Sequence, residues 1–502
     1  MTDTDTRTEQ YEIAIHCICM QGEGVKMKVK ESLFLKEKKP LLKKLLDELL
    51  ARYEYASILA SDSIGKIYNV SKTGTNIRED ANLTERGFCI KICDKGETAE
   101  YSFNEISEEA IPGILKNIEE NLIALDGAIP AGIEAYRIDK LDDERICIDE
   151  STEYEEDPEE LGNEKIIELL TRISEKGRAY DERIINCSAS FSYQKYTKMF
   201  LSRNKDMTQN VMWSAAWLAV LGSAGEEIKD SYQPMSILGG SEILKNLEAR
   251  LETACKTTIE LFDAQPIEPG EYEYICMPDV TGMIVHEAFG HGVEMDMFVK
   301  DRALAQQYVG KQVASELITM HDGASTIPEV ATFFFDDEGI PAHDTVIIKN
   351  GILQTGICDL QSAAHLSTAP TGNGRRESTQ RKAYTRMTNT IFEAGSSTVE
   401  EMIASVKDGV MLCEASSGME DPKNWGIQLM VNYAREIKDG KFTGRIFSPI
   451  VMTGYVPDLL KSISMISDKM EACGTGYCGK GYKEWVKVSD GGPYIKAKIR
   501  LG

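Results

Sequence analysis

Histidine and positive charge are scarce in this chain of 502 residues, which has 6 histidines and sets 56 Lys and Arg residues against 81 Asp and Glu residues. The formal net charge of −25 repels nucleic-acid phosphate and anionic lipid head groups alike. We therefore expect neither a nucleic-acid nor a membrane partner. More than a third of this charge falls in residues 137–160, where twelve acidic and three basic residues predict a solvated surface.

The sequence also lacks a long apolar run and a recognisable targeting segment. The longest mostly apolar run, residues 211–224, is shorter than the roughly 20 residues that span a bilayer. The first ten residues, MTDTDTRTEQ, contain no basic stretch followed by an apolar one. Twelve cysteines are too dilute in this length for a disulfide scaffold. We therefore expect a cytoplasmic protein with reduced thiols.

Hydrophobic periodicity predicts an α+β fold. Leucines between residues 41 and 50 predict an amphipathic helix that begins near Pro40. Short strand-like segments separated by Gly, Asn and Asp follow at residues 53–60, 65–71, 87–93 and 99–106. Further helices are expected at residues 107–125, 158–180, 241–262 and 399–406, and strands and turns dominate after residue 271.

These patterns divide the chain into three parts. Residues 1–40 remain unassigned. Residues 41–240 are expected to form an N-terminal α+β domain with a sheet and flanking helices, and residues 241–502 a C-terminal β-rich domain that carries the chemistry described next.

Two of the few histidines lie close together in the HEAFGH segment, as His286 and His291, after a strand-like run and a helix start for which Asp279 is the expected N-cap. Histidines at i and i+4 on a helix differ by about 40° and can bind one metal ion, whereas the i, i+5 spacing found here separates them by about 140°. A π-type turn, or a helix that ends at Gly290, would bring the two imidazoles back together. Without such a break, these are ordinary core or surface histidines.

The neighbouring residues indicate what a metal site here would do. Imidazoles suit Zn²⁺, and Glu287 lies where a carboxylate can act as general base for an attacking water. A third ligand has to come from elsewhere. The glycine-rich segment at residues 473–481 offers two thiols, Cys473 and Cys478, with Lys480 nearby to lower a thiol pKa.

The same glycine-rich segment also matches two nucleotide-binding patterns. Its glycines satisfy G-x-G-x-x-G, and residues 474–480 satisfy the first seven positions of the P-loop. However, Gly481 stands where the P-loop requires Ser or Thr, and the EWVKV run that follows alternates like a strand where both motifs need a helix. A loop that carries a thiolate to a metal explains these residues better.

At this point the sequence resembles a known family. HEAFGHGVEMD, residues 286–296, is similar to the H-E-A-x-G-H-x-x-E-x-D signature of the TldD branch of the TldD/PmbA family, formerly described as modulators of DNA gyrase. TGNGRRES at 371–378, RMTNT at 386–390 and the Cys-Gly-Lys of 478–480 agree with it. The resemblance extends from about residue 41 to residue 502. Residues 416–430 depart from it, because they replace a glycine-rich stretch near the active site, and substrate preference is expected to differ.

The resemblance implies a cytosolic zinc metallopeptidase that degrades or trims unfolded peptides with little sequence preference. It implies that His286, His291 and Cys478 hold Zn²⁺ and that Glu287 is the catalytic carboxylate. The PmbA branch lacks the metal motif. Family members form dimers around a chamber, so the resemblance also implies a homodimer or a heterodimer with a PmbA-like subunit.

Five further residues are candidates for supporting roles. Glu294 and Asp296 could orient the ligand histidines or form a salt bridge at a helix end. Arg375, Arg376 and Arg386 could anchor a peptide carboxylate, stabilise an oxyanion or form structural ion pairs. The alternative for the whole chain is a non-catalytic subunit that binds peptides or a partner. Two imidazoles and a thiolate favour Zn²⁺, although Fe²⁺ and Co²⁺ use the same ligands.

Overall fold

The computed structural model describes residues 26–80, 82–94, 96–125, 141, 143–480 and 483–502. Most of the unassigned N-terminal segment and residues 137–140 and 142 of the acidic segment therefore lie outside the described residues. The described chain mixes helices with two large sheets, which confirms the α+β class.

The first sheet carries the N-terminal part of the described chain. A short ladder pairs β1 (Met27–Lys28) with β7 (Glu153–Tyr154) beside it. The sheet is ordered β10-β9-β8-β2-β4-β5, with β3 on β2 and β6 on β9. Its strands are β2 (Tyr55–Ser71), β3 (Gly74–Arg78), β4 (Glu85–Asp94), β5 (Glu97–Phe103), β6 (Ile146–Ser151), β8 (Ile184–Ser202), β9 (Lys205–Ala224) and β10 (Glu227–Ile237).

Helices cover this sheet with apolar faces. They are α1 (Leu33–Leu50), α2 (Ile111–Leu125), α3 (Pro158–Leu161), α4 (Asn163–Arg178), α5 (Leu244–Leu247) and α6 (Leu251–Glu260). The predicted helix at 241–262 is thus two α-helical segments joined and flanked by 3₁₀ turns, and the one at 158–180 is interrupted at Gly162, whose φ of 85° is left-handed.

Two sequence predictions in this region were wrong. Helix α1 begins at Leu33 and contains Pro40, because the Ser32 hydroxyl caps the first turn by accepting a hydrogen bond from Leu35 N and the Leu35 side chain is buried. The segments predicted as separate strands at 53–60 and 65–71 are one continuous strand, β2, which passes through Gly65. The leucine face itself is correct: Leu42, Leu45, Leu46 and Leu49 are buried against the sheet.

The second sheet carries the C-terminal part. Its order is β11-β18-β19-β21-β25-β17-β12-β13-β14, with β20 on β19 and β22 on β25. Its strands are β11 (Gly270–Cys276), β12 (Met320–Asp322), β13 (Thr345–Lys349), β14 (Ile352–Leu353), β17 (Asn389–Phe392), β18 (Asp408–Asp421), β19 (Gly426–Lys438), β20 (Lys441–Phe447), β21 (Ile450–Tyr455), β22 (Met465–Cys473) and β25 (Ser489–Leu501). Two short ladders pair β15 (Gly374–Arg375) with β16 (Tyr384–Thr385) and β23 (Tyr477–Lys480) with β24 (Lys483–Lys487).

The helices of this part are α7 (Pro278–Val285), α8 (Met295–Val299), α9 (Leu360–Leu366), α10 (Val399–Ala404) and α11 (Val456–Lys461). Helix α7 packs against β25 and β18, and its apolar residues join the largest core cluster. The described strands of the first sheet end at Ile237 and those of the second begin at Gly270. The domain boundary at residues 240/241 stays a prediction.

Candidate metal centre

The two motif histidines lie at the end of helix α7, where the helix widens. Residues His286–Gly290 form a π-turn, and a 3₁₀ turn follows at His291–Val293. The widened turn brings the imidazoles together: their ring centroids are 5.1 Å apart and the rings are nearly perpendicular. Of the two arrangements that could bring the imidazoles together, the structure contains the π-turn. Gly290 is needed here, because a Cβ at this position would lie 2.2 Å from the sulfur of Met387.

The thiol of Cys478 completes a cluster with these histidines. Cys478 lies on β23, and its Sγ is 3.2 Å from Nε2 of His291. One potential ligand atom from each of His286, His291 and Cys478 lies within 4.8 Å of the others. All three side chains are largely withdrawn from solvent. Two imidazoles and one thiolate, with room for a fourth ligand, match the donor set of catalytic zinc sites.

The electrostatics favour the thiolate. Burial opposes ionisation of the Cys478 thiol, but hydrogen bonds and charge from His286 and His291 outweigh it and lower the thiol pKa to about 5. The two histidines therefore lower the pKa of the Cys478 thiol, an effect that the sequence analysis considered for Lys480. The Lys480 ammonium is instead held by carboxylates, at 2.6 Å from Asp296 Oδ1 and 3.1 Å from Glu294 Oε2.

Glu287 follows the first histidine and lines a cavity of about 1020 Å³, together with His286, His291 and Cys478. Gly418 of β18 lies against it, since a Cβ there would be 2.6 Å from Glu287 Cγ. The carboxylate is thus next to the ligand cluster, on a wall that a substrate in the cavity could contact.

A closed cycle of buried and partly buried contacts links two candidate ligands, His291 and Cys478, to Glu294 and Arg386. His291 Nδ1 is 3.4 Å from Glu294 Oε2, and Arg386 Nε donates to Glu294 Oε1 at 3.3 Å. Arg386 Nη2 donates to the Cys478 carbonyl at 2.9 Å, and the Cys478 thiol returns to His291. Although burial opposes it, the positive charge of Lys480, His291 and Arg386 holds the pKa of Glu294 well below its usual range. Glu294 therefore contacts the side chain of the candidate ligand His291, and Arg386 contacts the backbone of the candidate ligand Cys478.

Asp279 does not have the capping role predicted for it. Helix α7 begins at Pro278 after Met277, and no side chain caps it. Asp279 lies in the first turn, and its Oδ2 accepts a hydrogen bond from Ala415 N at 3.0 Å, which ties the helix to β18.

Arg375 and Arg376 lie away from the cluster, against a smaller cavity of about 100 Å³. Arg376 makes a bidentate pair with Glu100 at 2.6 and 2.8 Å. Arg375 donates to the Met387 carbonyl at 2.5 Å and lies over the ring of Phe333. The structure thus gives Arg376 an internal ion pair, as it does Arg386, and brings neither Arg375 nor Arg376 to the large cavity.

Two acidic residues at the site, Asp490 and Glu420, have no local signal in the sequence. Asp490 lies 3.7 Å from His286 Nδ1 through its Oδ2. Glu420 lines the large cavity, and its carboxylate oxygens have no hydrogen-bond partner among the described residues. Burial, together with the negative charge of Glu287 and Asp421, raises the pKa of Glu420 to about 9, although His291 opposes this.

In the described ranges, no helix combines the length and apolar character needed to cross a bilayer.

Known proteins resemble this chain in sequence and in fold. The sequence model of the PmbA/TldA metallopeptidase C-terminal domain matches residues 269–500. A metalloprotease of Methanocaldococcus jannaschii is 26% identical over 90% of this chain and 97% of its own length. A zinc metalloprotease TldD homologue of Saccharolobus solfataricus is 29% identical over 52% of this chain and 57% of its own length.

The crystal structure of TldE from Thermococcus kodakarensis superposes with a TM-score of 0.72 over 92% of this chain and 99% of that one, at 16% identity, which establishes a common fold. The zinc and metalloprotease names of the relatives agree with a metal-dependent hydrolase at the family level. From the domain match, the alignments and the shared fold, we conclude that this chain belongs to the TldD/PmbA family.

Proposed function

We propose that this chain is a TldD-type zinc metallopeptidase that degrades or trims unfolded peptides with little sequence specificity. The observation that carries the proposal is the position of Glu287, which adjoins two imidazoles and a thiolate on the wall of the large cavity. The relatives named as metalloproteases support the reaction class. A PmbA-like chain would lack this set of donors.

The proposed roles follow from the donor chemistry. His286, His291 and Cys478 would hold Zn²⁺, which supplies Lewis-acid chemistry by polarising the peptide carbonyl and lowering the pKa of water. Glu287 accepts the proton of the attacking water and transfers it to the leaving amide nitrogen. Glu294 holds the ring of His291 through Nδ1, so that Nε2 faces the cluster.

The cavity wall also suggests how a peptide could bind without recognition of its sequence. Strand β10 is the terminal strand of the first sheet, and its residues 232–236 line the cavity. Tyr232 N points away from β9, because it donates to Glu414 Oε2, and Pro234 has no N–H to donate. Positions of the same parity therefore turn their main chain outward. Because Tyr232 N is occupied and Pro234 has no N–H, the groups that these two positions offer a peptide are their carbonyl oxygens, which could accept main-chain N–H groups independently of the side chains of the peptide.

The proposal includes the oligomeric state and the cellular location of this chain. We propose a cytoplasmic protein that forms either a homodimer or a heterodimer with a PmbA-like subunit, since the TldE of T. kodakarensis shares the fold. Mass measurement of the purified chain, alone and after co-expression with a PmbA-like partner, distinguishes the two assemblies.

The test separates chemistry from metal binding. Glu287→Gln should abolish cleavage of an unfolded peptide while zinc stays near one ion per chain, because the residue is not a ligand. Cys478→Ala should lower zinc content, whereas the control Cys473→Ala should not. Cleavage by Glu287→Gln at the wild-type rate would refute the mechanism. A wild-type chain that neither binds zinc nor cleaves peptide would indicate a non-catalytic subunit.

A further inference from the structure

Each motif histidine has a carboxylate close to its Nδ1. His291 presents Nδ1 to Glu294 at 3.4 Å and Nε2 to Cys478. His286 presents Nδ1 to Asp490 Oδ2 at 3.7 Å. This Nδ1 is buried and has no hydrogen-bond partner among the described residues, and one nitrogen of the same ring lies within 4.8 Å of the Cys478 sulfur. Both imidazoles therefore have Nδ1 next to a carboxylate.

The position of Asp490 is fixed by the second sheet. Asp490 is the second residue of β25, and it pairs with Thr390 of β17 on one side and with Cys473 of β22 on the other. Its backbone is thus held between two strands. A carboxylate on such a strand cannot move far, so its distance from helix α7 is set by how closely the helix packs on the sheet.

Gly282 sets that closeness. It lies one helical turn before His286, on the same face of α7. A Cβ at Gly282 would lie 2.5 Å from Asp490 Oδ1 and 3.0 Å from the backbone nitrogen of Gly491. A glycine at this position therefore admits the Asp490 carboxylate against the helix, directly below the imidazole of His286.

We infer that Asp490 is a positioning residue for the metal centre: it accepts the Nδ1 proton of His286 and thereby holds Nε2 toward the metal. The inference rests on the proposed zinc function. A neutral imidazole that binds a metal through Nε2 carries its proton on Nδ1, and this proton needs an acceptor when the ring is buried. A small rotation of the ring shortens the 3.7 Å contact to hydrogen-bond length.

The experiment measures zinc affinity of the full-length chain by competition with a chromogenic chelator. Asp490→Leu removes the acceptor at similar volume and should weaken zinc binding about 10- to 100-fold. Asp490→Asn keeps an oxygen that can accept the proton and should lose less. Asp344→Asn is the control, because Asp344 likewise faces a histidine nitrogen, His321 Nδ1 at 2.8 Å, but that pair is not in the ligand cluster or among the residues that line the large cavity.

A second measurement distinguishes a changed orientation of His286 from a general loss of structure. In Co²⁺-substituted protein, Asp490→Leu should shift the visible absorption bands, whereas Asp344→Asn should not. Gly282→Ala should weaken zinc binding in the same direction, because the added methyl displaces the Asp490 carboxylate. Zinc affinity equal to wild type in both Asp490→Leu and Gly282→Ala would overturn the inference. If wild type itself binds no zinc, the proposed function fails, and the inference fails with it.

Discussion

Gly418→Ala tests whether tight packing of β18 against the π-turn sets the position of Glu287. The new Cβ would lie 2.6 Å from Glu287 Cγ, 2.7 Å from Leu429 Cδ2 and 3.1 Å from Met283 Cγ. Leu429 is buried in the core and is paired opposite Gly418, so it has little freedom to retreat. The side chain that borders the cavity, Glu287, has to move.

The expected effect on activity exceeds the effect on stability. Overpacking by one methyl costs about 1–3 kcal/mol of folding free energy. Displacing a catalytic group by about 1 Å costs roughly 100-fold in rate. Because the added methyl meets none of the three ligand side chains among its nearest atoms, zinc content should remain that of wild type.

The assay compares kcat for cleavage of an unfolded peptide, zinc content and resistance to urea in Gly418→Ala and wild type. Gly426→Ala is the matched control, since it lies in the adjoining strand β19 and a Cβ there meets no atom within 4 Å. We expect the control to keep wild-type kcat. A Gly418→Ala protein with wild-type kcat would refute the reasoning, because Glu287 would then either not be displaced or not be required.

Further predictions concern the Glu294–Arg386 ion pair, the buried carboxyl group of Glu420, and the thiols of Cys478 and Cys473. Arg386→Met should lower the free energy of unfolding by about 3–5 kcal/mol in urea titrations, because it leaves Glu294 buried without that partner. In metal-free protein, Glu420 has a folded-state pKa of about 9 against 4.5, so stability should fall as pH rises through that window, and Glu420→Gln should flatten the slope. An alkylating agent at pH 6.5 should label Cys478, whose thiol pKa is about 5, and spare Cys473, whose pKa burial raises to about 12; mass spectrometry of the peptides checks this, and added zinc should protect Cys478.

Local patterns predicted the elements whose boundaries depend on nearby residues. The helix at 399–406 is present as Val399–Ala404, because Thr398 and Glu401 form a reciprocal capping box. Gly65 shows where such reasoning fails. The sequence predicts separate strands at 53–60 and 65–71, but a Cβ at Gly65 would meet the Tyr193 carbonyl of β8 at 2.4 Å, so this glycine permits the close approach of two long strands.

The same limit explains which site residues the sequence could supply. His286, Glu287 and His291 are close in sequence, and their spacing was enough to name a π-turn as one of two arrangements that could bring the imidazoles together; the structure contains it. Asp490 and Glu420 reach the cluster from β25 and β18, through the packing of Gly282 and Gly292. Such contacts depend on how the sheet and the helix approach each other, and no periodic pattern within either segment encodes them.

His291, Cys478, Arg386 and Glu294 form a closed cycle of contacts that fixes the geometry of the site. Its members come from the π-turn region, the β23 hairpin and the segment before β17; the two contacts of Arg386 are buried and the two of His291 are partly buried. Buried ion pairs add little net stability, but they fix geometry, because any displacement leaves a charge without its partner. These contacts therefore hold two of the three candidate ligands, His291 and Cys478, next to each other by protein contacts alone. A site prepared in this way loses little conformational entropy when a metal binds, so the affinity reflects chiefly the donors themselves.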